Sequence, residues 1–185
     1  MGCPGAGGGL QGVVVINIFL DTEFTHLPEP ADQNPPSLVS IGLISEDGKS
    51  FYAENADMQT DLFSDFTRET VVPLLEGGRA MMLHAEIAVL LKCWIEDLGS
   101  EVKIWTDAPY WDWMHIKNLF DPHDWPANLI QKPINLAFPS TVQTQRFKAA
   151  VEDNFRSNQS LRRHHALDDA IVNRAAFLRV TKRRY

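Results

Sequence analysis

An apolar run, Val13-Val14-Val15-Ile16-Asn17-Ile18-Phe19-Leu20, ends abruptly in Asp21-Thr22-Glu23-Phe24. Residues 13–21 read as a fully buried strand. Side chains on a strand alternate faces, so Asp21 and Glu23 point the same way, a few ångströms apart. Two like charges so placed repel each other and are costly to strip of water. A divalent cation between them removes both penalties. The chain is therefore expected to build a metal site on a strand end, and with it phosphate chemistry.

The 185 residues suffice for one domain with a proper core. An apolar fraction of 44% and a charged fraction of 22% are those of an ordinary globular protein. No apolar run reaches the length of a membrane span. Cys3 and Cys93 are the only cysteines. Two thiols make neither a disulfide framework nor a zinc motif, so a reducing cytoplasm is the expected setting. The net charge of −7 argues against a protein that coats nucleic acid non-specifically. It leaves room for an enzyme with an acidic, metal-holding centre and a few cations on its rim. Arg162, Arg163, Arg174, Arg179, Lys182, Arg183 and Arg184 are candidates for that rim, although the last four residues read better as a basic tail. Residues 1–12 are glycine-rich and aperiodic and read as a flexible tail or an expression scar, leaving residues 13–185 as the domain. Ala6 breaks the myristoylation pattern that Met1-Gly2-Cys3 would otherwise open.

Residues 25–37 carry four prolines and read as a loop. Ser37 to Ser45 is a second apolar strand, Glu46-Asp47-Gly48 a hairpin turn, and Ser50 to Glu54 a third strand. Leu83, Ile87, Leu90, Leu91, Trp94, Ile95 and Leu98 recur at helical spacing until Gly99, and read as a core-packing helix. Val102 to Thr106 is a strand, Trp111 to Phe120 a helix, and Ile134 to Phe138 a fifth strand. Thr141 to Phe155 and Ala166 to Val180 are helices. A three-strand meander followed by alternating helices and strands predicts an α/β fold with a mixed five-stranded sheet flanked by helices.

Further acids belong with the strand pair. Asp112 opens a helix after the fourth strand; Asp169 lies near the start of the last helix, five residues after His164. Taken singly, Asp112 or Asp107 could cap a helix, Asp168 and Asp169 could complement its dipole, and His164 could be a surface residue. Together they are the parts of a metal-assisted phosphodiester hydrolase. Asp21, Glu23, Asp112 and Asp169 would hold one or two ions, and His164 would take a proton from water. Hard oxygen donors without a Cys/His cluster favour Mg²⁺ or Mn²⁺ over zinc.

The order strand-Asp-x-Glu, then Asp after a later strand, then His-x4-Asp on a last helix resembles the DEDD superfamily of 3′–5′ exonucleases, in its histidine branch, DEDDh. Phe19-Leu20-Asp21-Thr22-Glu23-Phe24-Thr25, Leu38-Val39-Ser40-Ile41-Gly42-Leu43-Ile44-Ser45-Glu46-Asp47-Gly48 and Arg163-His164-His165-Ala166-Leu167-Asp168-Asp169-Ala170 resemble the small ribonuclease AS-like exoribonucleases of bacteria and phages. The resemblance implies a ribonuclease H-like fold and a two-ion site. Asp21 would touch both ions, Glu23 and Asp169 would complete the first, Asp112 would support the second, and His164 would be the general base. Phe24, with Thr22 beside it, would meet the terminal nucleotide; the alternative for Phe24 is core packing. Tyr110 and Trp111 are weaker aromatic candidates, and Trp113 reads as structural. His165 adjoins His164, and only the spacing to Asp169 selects between them. Asp107-Ala108-Pro109-Tyr110-Trp111-Asp112 departs from the asparagine-containing motif of other branches, so Asp107 stays an alternative to Asp112.

The leading expectation is an exoribonuclease that trims single-stranded 3′ ends and releases nucleoside 5′-monophosphates, the resemblance hinting at adenylate-rich RNA. A DNA exonuclease would use the same residues, since the donors that read a 2′-hydroxyl have no sequence signature here. A non-catalytic nucleotide-binding or nucleic-acid-binding domain would need no such set of acids. Relatives of this type are often homodimers.

Overall fold

The computed structural model describes residues 14–27 and 34–181. The tail to Gly12, with Cys3, and the basic residues Lys182, Arg183 and Arg184 lie outside the described residues. Ten elements follow in chain order. β1 (Val15–Phe24), β2 (Leu38–Ser45) and β3 (Ser50–Asn55) form the meander. β4 (Met81–Met82), α1 (His84–Glu96), β5 (Glu101–Thr106) and α2 (Pro109–Phe120) come next. β6 (Ile134–Asn135), α3 (Thr141–Ser157) and α4 (Ala166–Thr181) complete the chain.

The sheet has six strands in the order β4-β3-β2-β1-β5-β6, one more than the sequence predicts. The addition is β4, a two-residue edge strand parallel to β3, too short to leave a periodic signal. β1 runs antiparallel to β2 and parallel to β5. β6 stops at Asn135 instead of reaching Phe138, because the Asn135 side chain accepts the Ala137 N–H at 2.7 Å and turns the chain. α2 begins two residues earlier than expected, with Pro109 in its first turn, where a missing N–H costs nothing.

Alternation on β1 divides the core into two layers. Ile18 and Leu20 pack with Leu91, Ile95, Ile116 and Leu119 of α1 and α2. Phe19 packs with Phe147, Ala170 and Phe177 of α3 and α4. All eight residues of β2 are buried, as a central strand covered on both faces requires. Gly42 on β2 makes the closest approach. A Cβ there would lie 2.3 Å from the Leu167 nitrogen and 2.4 Å from the Ala166 carbonyl carbon, so the first turn of α4 rests directly on the strand. Gly42 is the register partner of Asp21.

The segment between β3 and α1 has no sequence periodicity. It folds as short 3₁₀ turns and one π turn, Thr67–Val71. Its anchors are polar. Thr25 O accepts the Ser64 N–H and the Thr67 hydroxyl, both at 2.9 Å. Glu54, fully buried, accepts the N–H groups of Glu76 and Gly77 at 2.5 and 2.9 Å and the Tyr52 hydroxyl at 2.8 Å. A buried carboxylate with three donors is satisfied rather than orphaned.

Candidate metal centre and nucleotide cleft

The acidic pair lies within β1, not past its end, since the strand continues to Phe24. β5 pairs with β1 only as far as Phe19, so Asp21 and Glu23 have a strand neighbour on the β2 side alone. The diverging β5 opens the edge on which the site is built. A register shift between Glu23 and Phe24 re-aims the strand there.

The two layers deliver the other groups from opposite faces. Position 21 shares the face of Phe19, toward α4; position 22 shares that of Leu20, toward α2. Ligand atoms of Glu23, His164 and Asp169 lie within 4.8 Å of one another, and so do those of Asp21, Asp107 and Asp112. All the acids expected from sequence converge, and Asp107 joins Asp112 rather than replacing it. Burial, then repulsion from Asp112, Asp169, Glu23 and Asp107, raises the Asp21 carboxyl well above its usual range. Burial, with Asp169 and Asp112 adding to it, pushes Glu23 up to about 8. Asp112 and Asp169 are pushed to about 7, chiefly by burial. Carboxylate oxygens with one imidazole fit a hard divalent cation, whose charge would reverse these shifts.

Asp112 is 1% exposed. One of its oxygens accepts the Thr22 hydroxyl at 2.6 Å and the other accepts the Thr106 hydroxyl. Thr22, expected to touch substrate, is itself buried and spends its hydroxyl on Asp112. Asp107 is exposed and accepts a hydrogen bond from Asn173, a buried residue of α4. Sequence reasoning missed Asn173. Its spacing of four residues from Asp169 places both on one helix face.

The adjacent histidines part company. His165 is buried, stacked on Tyr52 at 4.5 Å, with Nε2 3.0 Å from the Arg162 guanidinium. His164 turns to the acids. It has φ +68, the only positive φ among described non-glycine residues, and its N–H donates to Asp169 Oδ2 at 2.7 Å. Burial, then the nearby Arg163 charge, lowers its pKa and so favours the neutral imidazole. Asp168 is turned away: its Oδ2 accepts the N–H and Nε–H of Arg162 at 3.0 and 2.7 Å.

Beside Glu23 opens a cleft of about 550 Å³, lined by Phe24, His26, Leu27, Ser64 and Phe66 among others. Phe24 is half-buried. Phe66 is 52% exposed and stands edge-on to His164 at 5.0 Å. Phe66 was not anticipated, since it sits in the aperiodic segment. The rim arginines are engaged within the chain: Arg163 with Glu152, Arg174 with the Glu46 carbonyl, and Arg179 with Asp153. Among the described residues no helix is long and apolar enough to cross a membrane.

No family model and no curated protein matches the chain. Solved structures do. The chain is similar to a 3′-exonuclease seen in 3′-end-specific recognition of a histone mRNA stem-loop, at 14% identity, covering 88% of this chain and 80% of that one with a TM-score of 0.59. The nuclease domain of 3′hExo, a DEDDh family member bound to rAMP, matches at 14% identity over 88% and 90% of the two chains, with a TM-score of 0.48. The fold is ribonuclease H-like: a mixed sheet between helical layers.

Proposed function

We propose that this chain is a metal-dependent 3′–5′ exoribonuclease of the DEDDh type, of the ribonuclease AS-like kind, that removes nucleoside 5′-monophosphates from single-stranded RNA. One observation carries the reading. Two trios of side chains able to hold a metal ion adjoin each other, one of them contains His164, and an aromatic cleft of nucleotide size opens beside that trio. The shared fold with a 3′-exonuclease supports it.

Glu23 and Asp169 would hold one ion, Asp107 and Asp112 would serve the other, and Asp21 would stand between. Asp107, exposed and held by Asn173, would meet an ion directly, while Asp112, covered by two hydroxyls, supports the charge from behind. Bound Mg²⁺ or Mn²⁺ supplies polarisation of the scissile phosphate and offsets charge on the entering and leaving oxygens. The residues do the rest. Phe24 and Phe66 hold the terminal base by stacking, which any base satisfies. The His164 ring nitrogen takes the proton of the attacking water. The water oxygen bonds to phosphorus, the bond to the 3′ oxygen of the preceding nucleotide breaks, and that oxygen recovers a proton from solvent.

The test is incubation with 5′-labelled single-stranded RNA and DNA in Mg²⁺ or Mn²⁺. A ladder shortening from the 3′ end on RNA, absent with Asp21→Ala, is the expected result. Shortening of DNA alone would make the chain a DNA exonuclease. Intact substrates with both metals would leave a binding domain.

A further inference from the structure

We infer that the first turn of α2 is a platform for the nucleotides upstream of the scissile bond, with a base stacked on Tyr110 and the strand following the groove toward Lys117. The inference rests on the exonuclease reading and adds to it a second subsite.

Its direction follows from the geometry. The cleft and His164 lie with Glu23 and Asp169. Water deprotonated by His164 enters from that side. In-line displacement puts the leaving 3′ oxygen on the opposite side, toward Asp107 and Asp112. That oxygen carries the whole remaining chain, so the substrate must leave the centre past Asp107. The next residues along the protein are Ala108-Pro109-Tyr110.

Tyr110 is 74% exposed, the most exposed large hydrophobic residue among those described. It packs edge-to-face on Trp111 at 4.6 Å, and Trp111 lies 6.2 Å from Phe24. An aromatic path thus runs from the terminal cleft, across the end of β1, to the outside of α2. There a groove of about 360 Å³ continues along one helix face, lined by Trp113, Met114, Lys117 and Asn118. These residues recur three, four, seven and eight positions after Tyr110, the spacing of a single face. Lys117 is the one cation among the residues lining the groove, which Asp121 also lines. Its partner Asp121 is 3.9 Å away and both are more than half exposed, a pairing weak enough for a phosphate to displace. Tyr110 contributes little to the core, and a rigid, exposed aromatic beside an acidic centre is suited to stack a base of any identity.

The test is binding of fluorescent oligoribonucleotides in Ca²⁺, with gels confirming that they stay intact, beside titration with a nucleoside 5′-monophosphate. Wild-type protein should bind a hexanucleotide tighter than the monophosphate. Tyr110→Ala should weaken the hexanucleotide about tenfold and leave monophosphate affinity unchanged, while Tyr110→Phe retains both. Lys117→Ala should weaken only the hexanucleotide and reduce its salt dependence. Unchanged hexanucleotide binding by Tyr110→Ala overturns the platform, and so does equal loss on both ligands. Wild-type protein that binds the monophosphate but gains nothing from added length overturns the platform alone; one that binds neither ligand overturns the exonuclease reading with it.

Discussion

His164 combines a left-handed backbone, a ring whose pKa is lowered by burial and an edge contact with Phe66. Its main chain and its side chain have separable tasks: the N–H orients Asp169, while the ring faces the acids. His164→Ala keeps the first and removes the second. Turnover is expected to fall by about 10²- to 10⁴-fold, the usual worth of a general base, with Mn²⁺ affinity by calorimetry little changed. A variant that loses metal along with activity would assign the ring to the ion instead. The sequence singles out His164 by spacing to Asp169, and it marks Asp21, Glu23 and Asp112 by their place on a strand and a helix. It is silent on Asn173 and Phe66, because an orienting amide and a ring on an aperiodic segment carry no pattern of their own. The environment of Asp112 is equally hidden: Thr22 is distant in sequence, Thr106 stands six residues away on β5, and both meet it only through the fold.

Among elements, contact between β2 and the start of α4 controls the spacing of the site. Gly42 sits opposite Asp21, and the helix backbone lies where its Cβ would be. Gly42→Ala must displace the turn that carries Asp169. The expected cost is about 1–3 kcal/mol, read as a lower denaturation midpoint, with weakened Mn²⁺ binding in the fraction that folds. Ordinary stability and full metal affinity in that variant would show that the helix does not need this seat. The strands and helices on either side were legible because their hydrophobic patterns are long: β2 is mainly apolar and α1 repeats at helical spacing. The segment between β3 and α1 was not, since it is held by Thr25, Glu54 and single main-chain bonds rather than by an apolar face.

For the whole molecule, the cluster links stability to pH. Glu23 keeps its proton up to about 8 in the folded state, against 4.5 as the ordinary glutamate value. Asp112 and Asp169 behave alike, with about 7 against 3.8. The folded protein therefore binds more protons than the unfolded chain between those limits, and metal-free stability must fall as pH rises through them. Melting in EDTA should show a midpoint that drops from mildly acidic to mildly alkaline buffer. Mg²⁺ or Mn²⁺ should restore it, most strongly at the alkaline end, where the ions no longer compete with protons. A midpoint flat in EDTA over that range would mean that the acids are solvated and unlinked.

The two hydrophobic layers have one more implication. Because β1 separates them, each behaves like one jaw of a caliper closed on the same strand. Hollowing the α2 side, at Leu119, slackens the grip on Asp112 and leaves the jaw bearing Asp169 at its setting; hollowing the α4 side, at Phe177, does the reverse.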